Sequence, residues 1–286
     1  MNPSHCVRMG QIDYTNVWPV FHYFDSSNLS EPVEQIIKVP AVLNQMMLSG
    51  SLDIAPISSF AYGVGEEELL ILPNLSVSSD GSVHSILLFT REPLEQIVNG
   101  RFALTNTSAT SINLLKIILE KALKGTPSYW DSAPDLEQMM KNSDGALLIG
   151  DHAIRASWTD HGYIVTDLGE FWKRWTGYGM TFALWTVTKT FAENHPRMVD
   201  EVVQAFEESR RRSKQNMEPV IQRSIQVIGG TESYWRHYFN HLRHDFSAKE
   251  QAGLALYFRY AYEMGLLRKE VQLNIWSDNK LTRVKE

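Results

Sequence analysis

Cysteine is nearly absent from this chain. Cys6 stands alone, so no internal disulfide and no CxxC metal or redox motif can form. Long apolar runs are absent too: no stretch approaches the roughly 20 apolar residues of a membrane span. The opening MNPSHCVRMGQIDYTNVWPV holds no continuous apolar core of a signal peptide. A basic excess is also missing. The formal net charge is −6, and phosphate contacts need a basic face, so neither nucleic acid nor an anionic membrane is an expected partner. These absences point to the cytoplasm.

Several catalytic signatures are missing as well. There is no GxSxG nucleophile elbow and no GxxxxGK[ST] phosphate loop. Gly63-Val64-Gly65 lacks the third glycine of a dinucleotide fingerprint. No cofactor is implied.

What remains is an ordinary globular composition. The chain has 286 residues, 43% apolar and 21% charged, enough for two lobes with a core each. Through the first two thirds, strand and helix patterns alternate. CVRMGQI (6–12), DIAPI (53–57), SVHSILLFT (82–90), RFALTN (101–106), GALLIG (145–150), YIVTD (163–167) and TFALWTVTK (181–189) read as strands. Pro40 opens a helix that Gly50 closes, and SINLLKIILEKAL carries a stripe of Leu115, Ile118, Leu119 and Ala122. From Pro196 onward only helices are expected. Alternation of this kind predicts mostly parallel sheets covered by helices.

Three segments share one character: an apolar strand ends and small polar residues open a helix. They are Pro56 to Ser59, Thr105 to Ser111, and Ile149 to Asp151. Ligands of open α/β sheets bind beyond the carboxyl ends of strands, where free N–H groups favour anions. Two such places on two lobes suit a ligand with two carboxylates. Each also has a plainer reading, because Ser and Thr ahead of a helix are most often caps. Asp151 is either an acid–base group or the cap of HAIRASW. Asn16, in the loop after the first strand, is a turn former or a donor and acceptor to a substrate hydroxyl. Strand alternation puts His84 and Ser85 on opposite faces, with His84 solvated. His237, His241 and His244 fall on one helix face at a zinc-like spacing. Residue 238 is Tyr, not the Glu of HExxH, so a solvated face and no metal are expected. Arg210, Arg211 and Arg212 follow Glu207 and Glu208 and read as a charged helix exterior.

Six motifs together resemble the chorismate dehydratase family of the futalosine route to menaquinone. They are R-x-G-x-I-x-Y-x-N-x-x-P from Arg8 to Pro19, LSGSLDIAPISS (48–59), LPNLSVSSDGSVHS (72–85), TNTSATS (105–111), ALLIGD (146–151) and DLGEFW (167–172). The likeness runs from about residue 7 to about 190, and the helical tail is less distinctive. It implies an α/β, two-lobed periplasmic-binding-protein-like type II fold with a helical C-terminal region. Lobe I would be residues 1–88 plus 186–286, and lobe II residues 89–185. It also implies conversion of chorismate to 3-[(1-carboxyvinyl)oxy]benzoate and water. By motif position, Asn16 and Ser85 would be functional polar residues, joined by Asp151 as a candidate base. Ser58, Ser59, Thr107, Ser108, Ala109 and Thr110 would hold carboxylates. Trp18 before Pro19 and His152 after Asp151 depart from the family pattern and bear on the cleft wall.

No motif residue is an obvious strong base. Either Asp151 or the substrate's own enolpyruvyl carboxylate takes the C3 proton. The expected partner is the small dicarboxylate chorismate; a homodimer is left open. Two other readings stand beside this one. One is a dihydroxynaphthoate synthase-like enzyme of the same pathway, whose N-terminal pattern differs from YTNVWP. The other is a non-catalytic binding protein for a small carboxylate, which would carry a signal peptide or lipobox.

Overall fold

A computed structural model describes residues 6–277. The expected lobe I span therefore reaches outside the described residues at both ends. The strands are β1 Val7–Ile12, β2 Val33–Lys38, β3 Ile54–Ser58, β4 Leu69–Ser79, β5 Ile86–Thr90, β6 Arg101–Thr105, β7 Ser128–Ser132, β8 Gly145–Ile149, β9 Ile164–Asp167, β10 Met180–Thr188 and β11 Leu242–Arg243. They form a six-stranded sheet, β11-β4-β10-β3-β1-β2, and a five-stranded sheet, β7-β6-β8-β5-β9. The chain passes from the first sheet to the second between β4 and β5, and returns between β9 and β10.

Those two passages correct the parallel expectation. β1 pairs in parallel with β2 and β3, and β6 pairs in parallel with β7 and β8. β10, however, runs antiparallel to β3 and β4, and β5 runs antiparallel to β8 and β9. Each returning strand enters its new sheet at the edge where its neighbours end, so it must run against them. The same geometry gathers the carboxyl ends of β1, β3 and β4 on one rim, and those of β6, β8 and β9 on the other. Both passages leave from these rims.

Other expectations need adjusting. The strand expected over 82–90 begins only at Ile86, because His84 takes a left-handed φ of 60°. The C-terminal region is not purely helical, since the helix Glu232–His241 gives way to β11, which pairs with β4. Leu115, Ile118 and Leu119 are fully buried, while Ala122 lies at the margin. Their helix Ala109–Lys116 widens into a π-helical segment, Ile117–Ala122. A continuous apolar cluster runs from Met9 and Ile57 to Trp172, Trp185, Trp235 and Tyr257. A smaller one, with Leu87, Phe89, Met139 and Leu148, backs the five-stranded sheet. Each fully buried Leu or Phe contributes about 1.5–3 kcal/mol relative to exposure, so the two rims rest on rigid floors.

Candidate active site

The two rims touch. Beyond β1, Thr15 opens a single turn of 3-10 helix, Thr15–Val17. Beyond β8, Asp151 sits in the first turn of the helix Gly150–Ser157. The Thr15 amide donates to both carboxylate oxygens of Asp151 at 3.3 Å, and its hydroxyl donates to Asp151 Oδ1 at 2.5 Å. One strand over on each sheet, the Phe60 amide donates to Thr110 Oγ1 at 3.0 Å. Residues 15 and 60 follow strands of the six-stranded sheet, and residues 110 and 151 follow strands of the five-stranded one. Asn16, Ser59, Thr110 and Asp151 therefore share one junction.

Gly150 shows how closely the rims fit. It holds a φ of +58°, and a Cβ there would lie 2.8 Å from the Tyr14 ring. Only glycine satisfies both the left-handed backbone and the close approach. Its amide donates to the Ser85 carbonyl at 2.7 Å, which seats Ser85 beside the end of β8. The Ser85 hydroxyl is buried, donates to the Val83 carbonyl at 3.3 Å and accepts from the Tyr238 hydroxyl at 3.2 Å.

The other sequence candidates divide by what they do locally. Ser108 is a true N-cap, accepting from the Ser111 amide at 3.3 Å. Ala109 begins that helix, and Thr107 shares a hydroxyl–hydroxyl bond of 2.8 Å with Thr105. Ser58 precedes its helix without capping it; Asn44 instead donates to its hydroxyl and accepts from its amide. The Ser59 hydroxyl donates to the Thr181 carbonyl at 2.8 Å. Asp151 is not a cap either: the N-cap position is Ile149, with no side-chain capping bond. Burial pushes the Asp151 carboxyl up from its ordinary pKa, and the Thr15 bonds oppose that rise.

Two buried polar atoms at the junction have no hydrogen-bond partner among the described residues, Asn16 Oδ1 and Thr181 Oγ1. Burying such groups unpaired costs about 1–3 kcal/mol each, so this surface is built for something polar. Asn16 is itself held in place, because His244 Nε2 donates to its carbonyl at 2.7 Å. This corrects the expected three-histidine helix face. His244 lies past the helix end, where burial lowers its pKa to about 4.

Sequence reasoning passed over several of these contributors. Thr15 stood beside Asn16 in the same motif and was visible in principle. Tyr238 and Tyr257, whose hydroxyl donates to the Thr110 carbonyl, arrive from distant segments, Asn44 carries no local signal, and His244 entered the sequence reading only through its zinc-like spacing. Of the two departures, Trp18 is buried beneath Arg223, with the guanidinium carbon 4.2 Å from the ring centroid. His152 is half-buried, edge-on to Tyr14 at 6.3 Å.

Two α/β sheets, joined by two passages and meeting at polar strand ends, define the periplasmic-binding-protein-like class. Solved structures agree. A protein from Archaeoglobus fulgidus matches with a TM-score of 0.77 at 16% identity, over 92% of this chain and 99% of that one. The alkanesulfonate-binding protein SsuA from Xanthomonas axonopodis pv. citri, bound to MOPS, matches with a TM-score of 0.73 at 14% identity, over 96% and 99%. At such identities the likeness shows the fold alone.

Sequence relatives narrow the class. The family model for menaquinone biosynthesis matches residues 7–263. The chorismate dehydratase of Thermus thermophilus is 32% identical over 261 residues, covering 86% of this chain and 92% of the relative. The chain belongs to this menaquinone biosynthesis family. No helix among the described residues is long and apolar enough to cross a membrane.

Proposed function

We propose that this protein is a cytoplasmic hydro-lyase that dehydrates chorismate to 3-[(1-carboxyvinyl)oxy]benzoate. The observation that carries the reading is the pair of unpartnered polar atoms, Asn16 Oδ1 and Thr181 Oγ1, buried where the two rims meet. The family membership and the Thermus thermophilus relative supply the substrate class.

In this reading the lobes divide where the chain changes sheet, between β4 and β5 and between β9 and β10, and not at 88/89 and 185/186, which would cut β5 and β10 in two. Substrate enters when the Thr15–Asp151 and Phe60–Thr110 bonds part. One carboxylate then takes the backbone donors at Ser59 and Phe60, and the other those at the start of the helix Ala109–Lys116, beside Thr107 and Ser108. Both are helix N-termini, where the dipole favours an anion. Asn16 Oδ1 meets the 4-hydroxyl, Tyr14 lines the ring, and Ser85 with Tyr238 closes the wall behind it.

The chemistry asks little of the protein. The C3–H electron pair becomes the new ring double bond as the C4–O bond breaks, and the hydroxide leaves as water once it gains a proton. The ring becomes aromatic, which drives the step. Donors on the ring carboxylate stabilise the charge that builds up. The enolpyruvyl carboxylate lies on the same molecule as C3–H and serves as base, with the effective concentration that intramolecularity provides. Asp151 then acts as a latch. Its oxygens accept from Thr15 when the rims are together, so in this reading it holds the turn that carries Asn16, while the proton goes to the substrate's own carboxylate.

Incubation with chorismate tests this. Loss of the diene absorbance with formation of the aromatic ether is the expected result. Recovery of unchanged chorismate, or turnover of cyclic dehypoxanthine futalosine instead, would overturn it.

A further inference from the structure

Outside the rim junction, three imidazoles converge where the first passage meets the C-terminal helices. His237 and His241 lie one turn apart at the end of the helix Glu232–His241, and His84 lies on the passage between β4 and β5. One nitrogen from each falls within 4.8 Å of the other two. The ring centroids are 4.2 Å apart for His237 and His241, and 4.8 and 4.9 Å from His84 to each.

Three features of this cluster point to a ligand. His84 holds a left-handed φ of 60°, a conformation that costs a non-glycine residue free energy and marks functional positions. It is kept there by Asp167, which accepts from the His84 amide at 2.7 Å. The ring so placed buries its Nε2 with no hydrogen-bond partner among the described residues. Finally, His241 Nδ1 bonds the His237 carbonyl at 2.8 Å. A carbonyl only accepts, so Nδ1 carries the proton and Nε2 keeps its lone pair. That is the tautomer a metal-bound imidazole adopts, with its other nitrogen donating to a backbone oxygen.

We propose that His84, His237 and His241 bind a divalent transition-metal ion of the zinc type, which fastens the passage between the lobes to the C-terminal helix. Zinc–nitrogen bonds of about 2.0–2.1 Å in a tetrahedron require the nitrogens to be about 3.3 Å apart. The cluster must tighten from 4.8 Å; His237 and His241 are both exposed, and the Nδ1 bond keeps the His241 ring oriented while it does so. Three neutral nitrogen ligands suit zinc, cobalt or nickel rather than magnesium or calcium, which prefer oxygen. Water completes the fourth position. Asp167 and Glu170 place negative charge near His84, which further favours a cation. The ion would act on geometry, not on substrate. Ser85 follows His84 directly, and Tyr238, between the two helix histidines, donates to its hydroxyl. Metal binding would therefore stiffen one wall of the junction.

The test is titration of the chelator-stripped full-length protein with Co2+. One equivalent, with the intense visible absorption of a tetrahedral ion and displacement by Zn2+ but not Mg2+, is expected. His84→Gln, His237→Gln and His241→Gln should each weaken binding by roughly 100-fold, the upper end of losses seen on disturbing a metal site, whereas His161→Gln should not. Zinc should raise the melting temperature of the parent and not of the three variants. Because His237 and His241 are exposed, their variants fold normally, which metal-free melting will verify. Parent-like binding in these two, or a parent Co2+ spectrum that stays pale and octahedral, would overturn the site whatever His84→Gln does.

Discussion

Asp151 and Asp167 each stand at the end of a strand in the five-stranded sheet, yet their surroundings differ. Asp167, closing β9, accepts from four backbone amides: Val83 and His84 on one passage between the sheets, and Gly169 and Glu170 in the first turn of its own helix. Among the described residues, Asp151, after β8, accepts hydrogen bonds only from Thr15, and that residue belongs to the opposite rim. The first carboxylate is saturated by donors on the passage and on its own helix. The second is buried, its pKa is raised by that burial, and its partner stands on the other sheet's rim. Full internal satisfaction marks a joint; dependence on the other lobe marks a working surface.

The largest expected effect lies on the working side. Asn16→Asp keeps the shape but sets a negative charge against a dianionic substrate, and kcat should fall by about 1,000-fold, the scale seen when one stabilising polar group is lost. The His244–Asn16 bond uses the backbone, so the variant should fold. Near-normal turnover would remove Asn16 from the reaction. On the joint side, Asp167→Ala strands four amides at once. Bonds to a charged acceptor are each worth about 1.5–3 kcal/mol and are not additive, so we expect a loss of about 3 kcal/mol in urea unfolding. A loss below 1 kcal/mol would show that the passage holds without it.

Asp151→Asn reverses the sign of that second result. A carboxyl whose folded pKa is raised contributes stability present below its unfolded pKa and lost as pH rises through the folded value. At neutral pH the charged Asp151 is therefore a burden, and the amide, still able to accept from Thr15, should leave stability unchanged or higher. Turnover should fall only about 10-fold, the modest end of what loss of a positioning or proton-transfer group costs. A loss of several orders of magnitude with chorismate binding retained would make Asp151 the base.

The working rim was more legible in the sequence than the joints. Ser59, Thr110 and Asp151 announce themselves because small polar residues follow apolar strands, and that contrast is local. β4 went unread because Pro73 and Asn74 interrupt it; the strand survives by taking a register shift against β10, with Asn74 at a φ of 56°. β2 and β7 are edge strands with half-exposed residues and little apolar alternation. Tyr238 and His244 were invisible as site residues for a different reason. A helical pattern states which face is apolar, not that Tyr238 will meet a residue 153 positions away, and nothing local tells that His244, past the helix end, will reach a loop 228 positions away.

A third strand-end carboxylate gives the finest test of the contrast. Asp80 follows β4 at the start of the passage to β5. It accepts from Lys173 at 2.7 Å and from Lys249 at 2.6 Å, with Arg243 at 3.7 Å. The Lys173 bond, then the Lys249 bond, hold its pKa down to about 2, against a residual opposing effect of burial. Like Asp167 it is saturated, but by side-chain charges at a partly open surface, which water screens. A depressed carboxyl contributes stability that is present above its unfolded pKa of 3.8 and lost as pH falls towards 2. Asp80→Asn should therefore cost about 1 kcal/mol at pH 6, the scale of a screened ion-pair cluster, and the gap from the parent should close as pH drops through that window. Because Lys173 sits on the second passage and Asp80 on the first, the same variant should loosen the two passages together. A gap that stayed constant from pH 6 to the acid limit would mean that shape at this position, and not its charge, holds the passages in register.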